Sequence, residues 1–477
     1  MRERSIRATR LPRPASRQAT DSPPAPAPIT TASKCSSTWR LLSRDPSPRK
    51  CSLLRNGARA GGGRILAADA ASGRAAPAAR TLLTEESRDV SPFAVNDLAL
   101  QPIAEKILAG ERLSAEDGLA LYRSPDLLGI GQLANHVRRR LNGDRVHFMV
   151  NRHINPTNIC ENRCKFCAFS RSKGQDGAYE MTLEEVVRAA EESVPQGAYE
   201  VHVVGGLHPD WPFEFYVEMI RRLREALPRH VIIQAFTAVE IEYYAKISGL
   251  TTLEVLKRLK DAGLDAMPGG GAEIFSERAR LAAWEKKTSA EDWLRIHGEA
   301  HGLGIATNCT MLYGHIETLE ERVDHLIRLR ERQDVSGGFL AFIPLAFHPL
   351  NTELANLPGT TGYDDLKTLA IARLMLDNIP HVKAFWIMVG LKMAQISTAF
   401  GVDDIDGTVV EERITHMAGA TTPEALSREE LLSLIVETGH TPVERDTLYN
   451  VIRVYGLDPA TGACRVVSGE PVGAEAG

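Results

Sequence analysis

Between residues 146 and 455 the chain repeats a kind of segment rather than a motif: short runs of strand character alternate with amphipathic runs of helix length. "RVHFMVN" leads into a cysteine-bearing loop and a helical stretch opened by Thr182 and Glu185. "YEVHVVGG" leads into "FEFYVEMIRRLREAL", "HVIIQAFTA" into "TTLEVLKRLKDAG", and "LDAMPGGG" into "EDWLRIHGEAHGLG". "IATNCTMLYG" then pairs with "LEERVDHLIRLRER", "GGFLAFIPLAF" with "YDDLKTLAIARLML", "VKAFWIMVG" with "KMAQISTAFG", and "DIDGTVV" with "REELLSLIVETG". Repeated strand-then-helix units make a parallel sheet with helices on its faces. Such a sheet closes as a (β/α)8 TIM-type barrel or stays open and doubly wound, and eight units favour the barrel. In either case the chemistry belongs at the carboxyl ends of the strands. Ser114 with Asp117, Thr182 with Glu185, Thr288 with Glu291, Thr318 with Glu321, and Ser427 with Glu430 have the spacing of helix-capping boxes.

Outside the repeats the texture changes. Residues 93–145 have apolar residues at helical spacing and read as short helices packing on the barrel, whereas 456–477 read as a tail. Residues 1–92 are rich in Arg, Ala, Ser, Pro and Gly, poor in acids and without period, so no core is expected there. That composition fits a disordered leader, either an organelle transit peptide or, the preferred reading, upstream sequence included by a start codon placed too early. A net charge of -5 offers no basic face for nucleic acid or anionic lipid, and no run of 18 apolar residues is present. Seven cysteines, an odd number, suit a reducing compartment, and a cytoplasmic protein is expected. Cys35, Cys51 and Cys464 lie in segments without period, and Cys309 stands alone in an apolar run that suits a core residue.

The other three thiols fall in eight residues, "CENRCKFC", as Cys160, Cys164 and Cys167. Structural zinc wants a fourth Cys or His at comparable spacing, and none follows. An iron-sulfur cubane usually takes four thiolates, so three leave one iron open. The C-x3-C-x2-C spacing, with Phe166 before the last cysteine and a position after the first barrel strand, resembles the radical S-adenosylmethionine superfamily. The resemblance implies a 4Fe-4S cluster whose open iron is chelated by S-adenosylmethionine, and one-electron cleavage of that cosubstrate to a 5'-deoxyadenosyl radical. It further implies that Gly205 and Gly206 in "VVGGLHP" let the backbone approach the methionine amino group. In "PGGGAEIF", Gly269 to Gly271 and Glu273 sit at the same rim, where the carboxylate could accept ribose hydroxyls. "MLYGHIE" resembles the segment that lies along the adenine in that superfamily, which implies that Gly314 gives room there.

Over about residues 100 to 455 the resemblance narrows. "HINPTNIC", "GGLHPDWPFEFY", "AFTAVEI", "GGGAEIFSERAR", "FIPLAFHPLNT", "DDIDGTVVEERITHMAGA" and "PVERDTLY" are similar to the group holding the menaquinone enzymes of the futalosine pathway and the deazaflavin-forming synthases. "GGLHPDWPF" and "PLAFHPLNT" look like the pathway's adenosyl-transferring synthase more than its later cyclase, and the deazaflavin enzymes depart further. This implies a carbon-carbon bond-forming transferase that adds the adenosyl radical to 3-[(1-carboxyvinyl)oxy]benzoate, with flavodoxin or ferredoxin as electron donor. Two substrate carboxylates need cationic or N–H partners. Candidates at strand ends are Arg152, His153, His208, Arg278, His348, Asn351 and Thr352. Arg445 and Asp446 in "PVERDTLY" could cover the barrel mouth or pack beneath it.

Overall fold

All eight strand segments form, and they run parallel. In a computed structural model, which describes residues 95–458 and 461–469, the chain enters the barrel through β1 (Arg145–Met149) and β2 (Asn151–Ile154). It continues through β3 (Glu200–Val203), β4 (Ile232–Ala235), β5 (Ala266–Met267), β6 (Ala306–Tyr313), β7 (Phe339–Ala346) and β8 (His381–Val382). β2 to β8 are one curled parallel sheet in sequence order. The gap between its edges is spanned by β9 (Asp404–Gly407). On one side Asp403 N–H donates to the Val382 carbonyl (3.2 Å) and Ala384 N–H to Asp404 (2.8 Å). On the other, His147 N–H donates to Asp403 (2.8 Å) and His153 N–H to Val410 (3.0 Å). The ring has no free edge, which is what a (β/α)8 arrangement achieves.

A second, unforeseen piece closes the amino-terminal end. β10 (Thr441–Arg445) pairs in parallel with β1, and β11 (Val451–Leu457) and β12 (Cys464–Gly469) follow antiparallel. Thr447 donates to Glu200 at the start of β3 (2.8 Å), Arg445 pairs with buried Asp404 (2.5 Å), and Tyr449 stacks on His381 at 3.7 Å. "PVERDTLY" therefore packs beneath the barrel, and Cys464, expected in a tail, begins a strand. β12 was hard to read because its exposed side chains supply little apolar alternation.

The same end holds a buried ion pair, Arg373 with Asp403, both wholly buried. His147 and His381 also turn Nδ1 toward the Asp403 carboxylate, at 3.6 and 2.5 Å. With Arg373 and the Val382 N–H already on Asp403, this cluster has the donors of a satisfied structural pin joining β1, β8 and β9.

The helices Gln101–Ala109, Ala115–Arg123 and Leu127–Asn142 precede the barrel. Lys367 fastens them: its buried ammonium donates to the carbonyls of Tyr122 (2.8 Å) and Ser124 (2.6 Å) at the end of the second helix. Both hydrogen bonds of the capping box form at Ser114, Thr182, Thr318 and Ser427. Thr288 is the exception. Its helix starts one residue later, with Ser289 accepting from Asp292 N–H (3.1 Å), and Thr288 donates instead to Glu242. Two further boxes, Thr237 with Glu240 and Thr251 with Glu254, bracket consecutive helices. The first of these, Ala238–Ser248, carries no polar stripe because most of its faces are buried, so periodicity did not reveal it.

Residues 1–94 lie outside the described residues, as do the leader expected at 1–92 and Cys35 and Cys51. No helix among the described residues is long and apolar enough to cross a membrane.

Candidate active site

The chain leaving β2 is drawn into a tight loop by its own polar residues. Thr157 donates through Oγ1 to the Tyr179 carbonyl (2.8 Å) and accepts from Ile159 N–H (3.1 Å). Asn158 bonds both Gly177 and Tyr179 backbone (2.8 and 2.9 Å), and Arg171 gathers the carbonyls of Ala168 and Ser170 (2.8 and 2.9 Å). Cys160 N–H donates to Arg171 and Cys167 N–H to Cys164 (3.1 and 3.0 Å). This scaffold turns Cys160, Cys164 and Cys167 into one cavity of about 350 Å³ that runs down the barrel. Cys309 is not with them: it is fully buried in β6, its thiol 3.6 Å from the Ala341 carbonyl.

The donor set fits an iron-sulfur cluster bound through three corners. Burial pushes the Cys164 thiol up to about 12 and raises Cys160 as well. Thiolates there require positive charge beside them, which cluster iron supplies. Lys287 adds some. Burial opposes its ammonium most strongly, but the charge and hydrogen bond of Glu273 together with the charges of Cys164 and Cys167 outweigh burial and hold the lysine protonated. Lys287 also lies 5.1 Å from the Phe166 ring, which meets Trp284 edge-on at 5.5 Å. Phe166, Glu273 and Lys287 all line the cavity. Lys287 was missed because "EKKTS" reads as an exposed turn; nothing local points it inward.

Gly205 and Gly206 line the cavity too, and they seat β3 against the cysteine loop. Gly206 N–H donates to Thr157 (2.8 Å), and a Cβ on Gly205 would stand 3.2 Å from the Thr157 carbonyl oxygen. Behind them Glu240 accepts from Gly205 N–H (3.3 Å) and Thr237 N–H (2.7 Å), and burial raises its carboxyl to about 7. Gly269 passes so close to β6 that a Cβ would come within 2.6 Å of the Asn308 carbonyl oxygen. Gly314 has φ of +88° and packs on Thr360, off the cavity lining, so its freedom serves a turn.

The substrate candidates divide. His153 and His348 line the cavity, with His348 Nε2 at 2.9 Å from the Met388 carbonyl. Arg152 does not, since alternation along β2 sends Asn151 and His153 inward and turns Arg152 to Glu411 (3.0 Å). His208 is buried against Glu180 and stacked on Trp211 at 4.4 Å. Arg278 lies on the surface, paired with Glu321 (2.7 Å). Asn351, at φ +60°, holds the Met417 carbonyl (2.9 Å), and Thr352 closes a turn on Pro349 (2.7 Å). None of these four lines the cavity. Besides Lys287, the cavity-lining residues that sequence reasoning passed over include polar groups of its floor, Asn151, Glu200, His202, Gln234, Lys383 and Asp406.

A model of the radical SAM superfamily matches residues 154–329, and one of the CofH/MqnC C-terminal region matches 336–455. The aminodeoxyfutalosine synthase of Thermus thermophilus is 52% identical over 365 residues, 76% of this chain and 98% of that protein. The aminodeoxyfutalosine synthase of Streptomyces coelicolor is 48% identical over 370 residues, covering 75% and 95%. Among solved structures, methylornithine synthase aligns with a TM-score of 0.58 at 17% identity, over 71% of this chain and 96% of that one, a likeness of fold.

Proposed function

The chain belongs to the radical SAM superfamily, whose cofactors are a 4Fe-4S cluster and S-adenosylmethionine, and on that premise we propose that it makes 6-amino-6-deoxyfutalosine. The reaction breaks the C5'–S bond of S-adenosylmethionine with release of methionine and joins the freed adenosyl carbon to the vinyl carbon of 3-[(1-carboxyvinyl)oxy]benzoate. The benzoate ring then shifts from oxygen to carbon, and the vinyl carboxyl leaves as carbon dioxide with return of the electron that started the cleavage. What carries the reading is likeness to two aminodeoxyfutalosine synthases over nearly their whole length.

Cys160, Cys164 and Cys167 would hold the cluster, which when bound would supply one electron to S-adenosylmethionine. The rest is positioning. The glycine pair leaves backbone room beside the cysteine loop, Glu273 offers its carboxylate to ribose hydroxyls, and Lys287 balances charge next to the thiolates. Apolar walls from Leu312, Ile343, Leu345 and Phe347 keep water from the reacting carbons. One chamber that takes both reactants turns the addition into an intramolecular encounter. An electron donor of the flavodoxin or ferredoxin kind serves the cysteine end, in a reducing cytoplasm.

The test is anaerobic incubation of the iron-reconstituted, reduced protein with both substrates, followed by mass spectrometry. A product carrying both adenine and the benzoate ring is expected. Release of 5'-deoxyadenosine alone, with this substrate present, overturns the reading.

A further inference from the structure

Two lysines and no arginine line the cavity among the described residues. Lys287 is held by Glu273 at the cysteine end. Lys383 lies at the other end, where β8 bridges β9, and is 4% exposed. Its ammonium makes one hydrogen bond among the described residues, to Asp406 at 3.3 Å. An ammonium has three donors, so two directions are left. One layer nearer the cysteines, His153 is sandwiched between His202 (4.5 Å) and Phe385 (6.4 Å), and neither ring nitrogen is hydrogen-bonded among the described residues. Burial holds this imidazole neutral. It therefore keeps one N–H to donate.

We propose that Lys383, with a ring N–H of His153, seats the benzoate carboxylate of the substrate, and that Phe385 lies along its planar ring. The inference rests on the function proposed above. The vinyl carbon that reacts must lie toward the cysteine end, and its own carboxylate is on the neighbouring carbon. The benzoate carboxylate, across the ring, is the one that reaches the floor. Nearby acids do not saturate the seat: Glu200 already accepts from Thr447 (2.8 Å) and Gln234 (3.1 Å), and Asp404 is taken by Arg445 (2.5 Å). Asp406 is the remaining rival, and burial pushes its carboxyl up, which weakens its hold.

The experiment uses the full, cluster-loaded chain without reductant and measures binding of the benzoate ether and of its benzoate methyl ester by calorimetry. Wild type is expected to prefer the acid by at least about 30-fold, the scale of a buried charge pair. K383M should lose that preference while S-adenosylmethionine affinity and the cluster absorption stay within about twofold. Equal binding of acid and ester by wild type, or a preference undiminished in K383M, overturns the seat. If K383M does not fold, D406N decides: it should tighten the acid and not the ester, and unchanged affinity for the acid overturns the proposal. Adenosine-bearing product with a preference independent of Lys383 removes the seat and leaves the function; the preference without product removes the function and leaves the seat.

Discussion

Gly206 lies with its α-carbon against Ile159, so closely that a side-chain carbon there would overlap the Ile159 carbonyl oxygen, one residue before the first cysteine. The glycine pair thus acts on the cysteine loop through packing. G206A should displace the loop and lower iron from about four atoms per chain to below one after reconstitution. G205A, whose Cβ would press the Thr157 carbonyl oxygen at 3.2 Å and need a shift of only a few tenths of an ångström, should keep most of it. Iron and sulfide assays on the two variants check this, and full loading of G206A would refute the packing role.

The thiols should separate as cleanly. C160A, C164A and C167A should each lose the cluster absorption. C309A, in the β6 core, should keep it and cost about 1 kcal/mol of stability from lost packing. Loss of iron in C309A would make it a ligand and undo the three-corner site.

Glu240 predicts a pH dependence. Burial raises its folded pKa to about 7 from 4.5, so the folded chain holds a proton that the unfolded chain releases. The associated stability is present in full below pH 4.5 and is lost as pH rises through 7, about 3 kcal/mol in all. Denaturant melts of wild type and E240Q between pH 5 and 8 should diverge by most of that amount, with wild type the one that weakens. Parallel curves would show an ordinary carboxyl.

Arg278 provides the contrasting expectation. Exposed and paired with Glu321, it should be dispensable: R278A is expected to change stability by under about 1 kcal/mol and leave turnover within about twofold. A turnover loss of tenfold or more would return Arg278 to the site.

At the closed end of the barrel, R373M should leave the Asp403 charge buried without its cation and cost about 3 to 5 kcal/mol. Thermal and denaturant unfolding measure it, and a loss under 1 kcal/mol would mean that His147 and His381 suffice.

The capping boxes were legible because a box is a contact between residues three apart, and the backbone between them has little choice. The frame slipped at Thr288, where Ser289 offered the same chemistry one residue later and tertiary contact with Glu242 claimed the threonine. The helix Ala238–Ser248 was illegible for the opposite reason: burial on most of its faces erased the periodicity by which helices are recognised.

By itself the amino-acid sequence determined eight alternating units and three thiols in one loop, since both depend on neighbours along the chain. Which cations reach the cavity was decided by the closed barrel. Arg152 and His153 are adjacent, yet pairing with β3 and closure through β9 turn one outward to Glu411 and the other into the cavity. Lys287 and Lys383 likewise meet Glu273 and Asp406 from other segments. A strand's side chains alternate between faces, so the register that selects the inner face is a property of the whole ring and is written in no single segment.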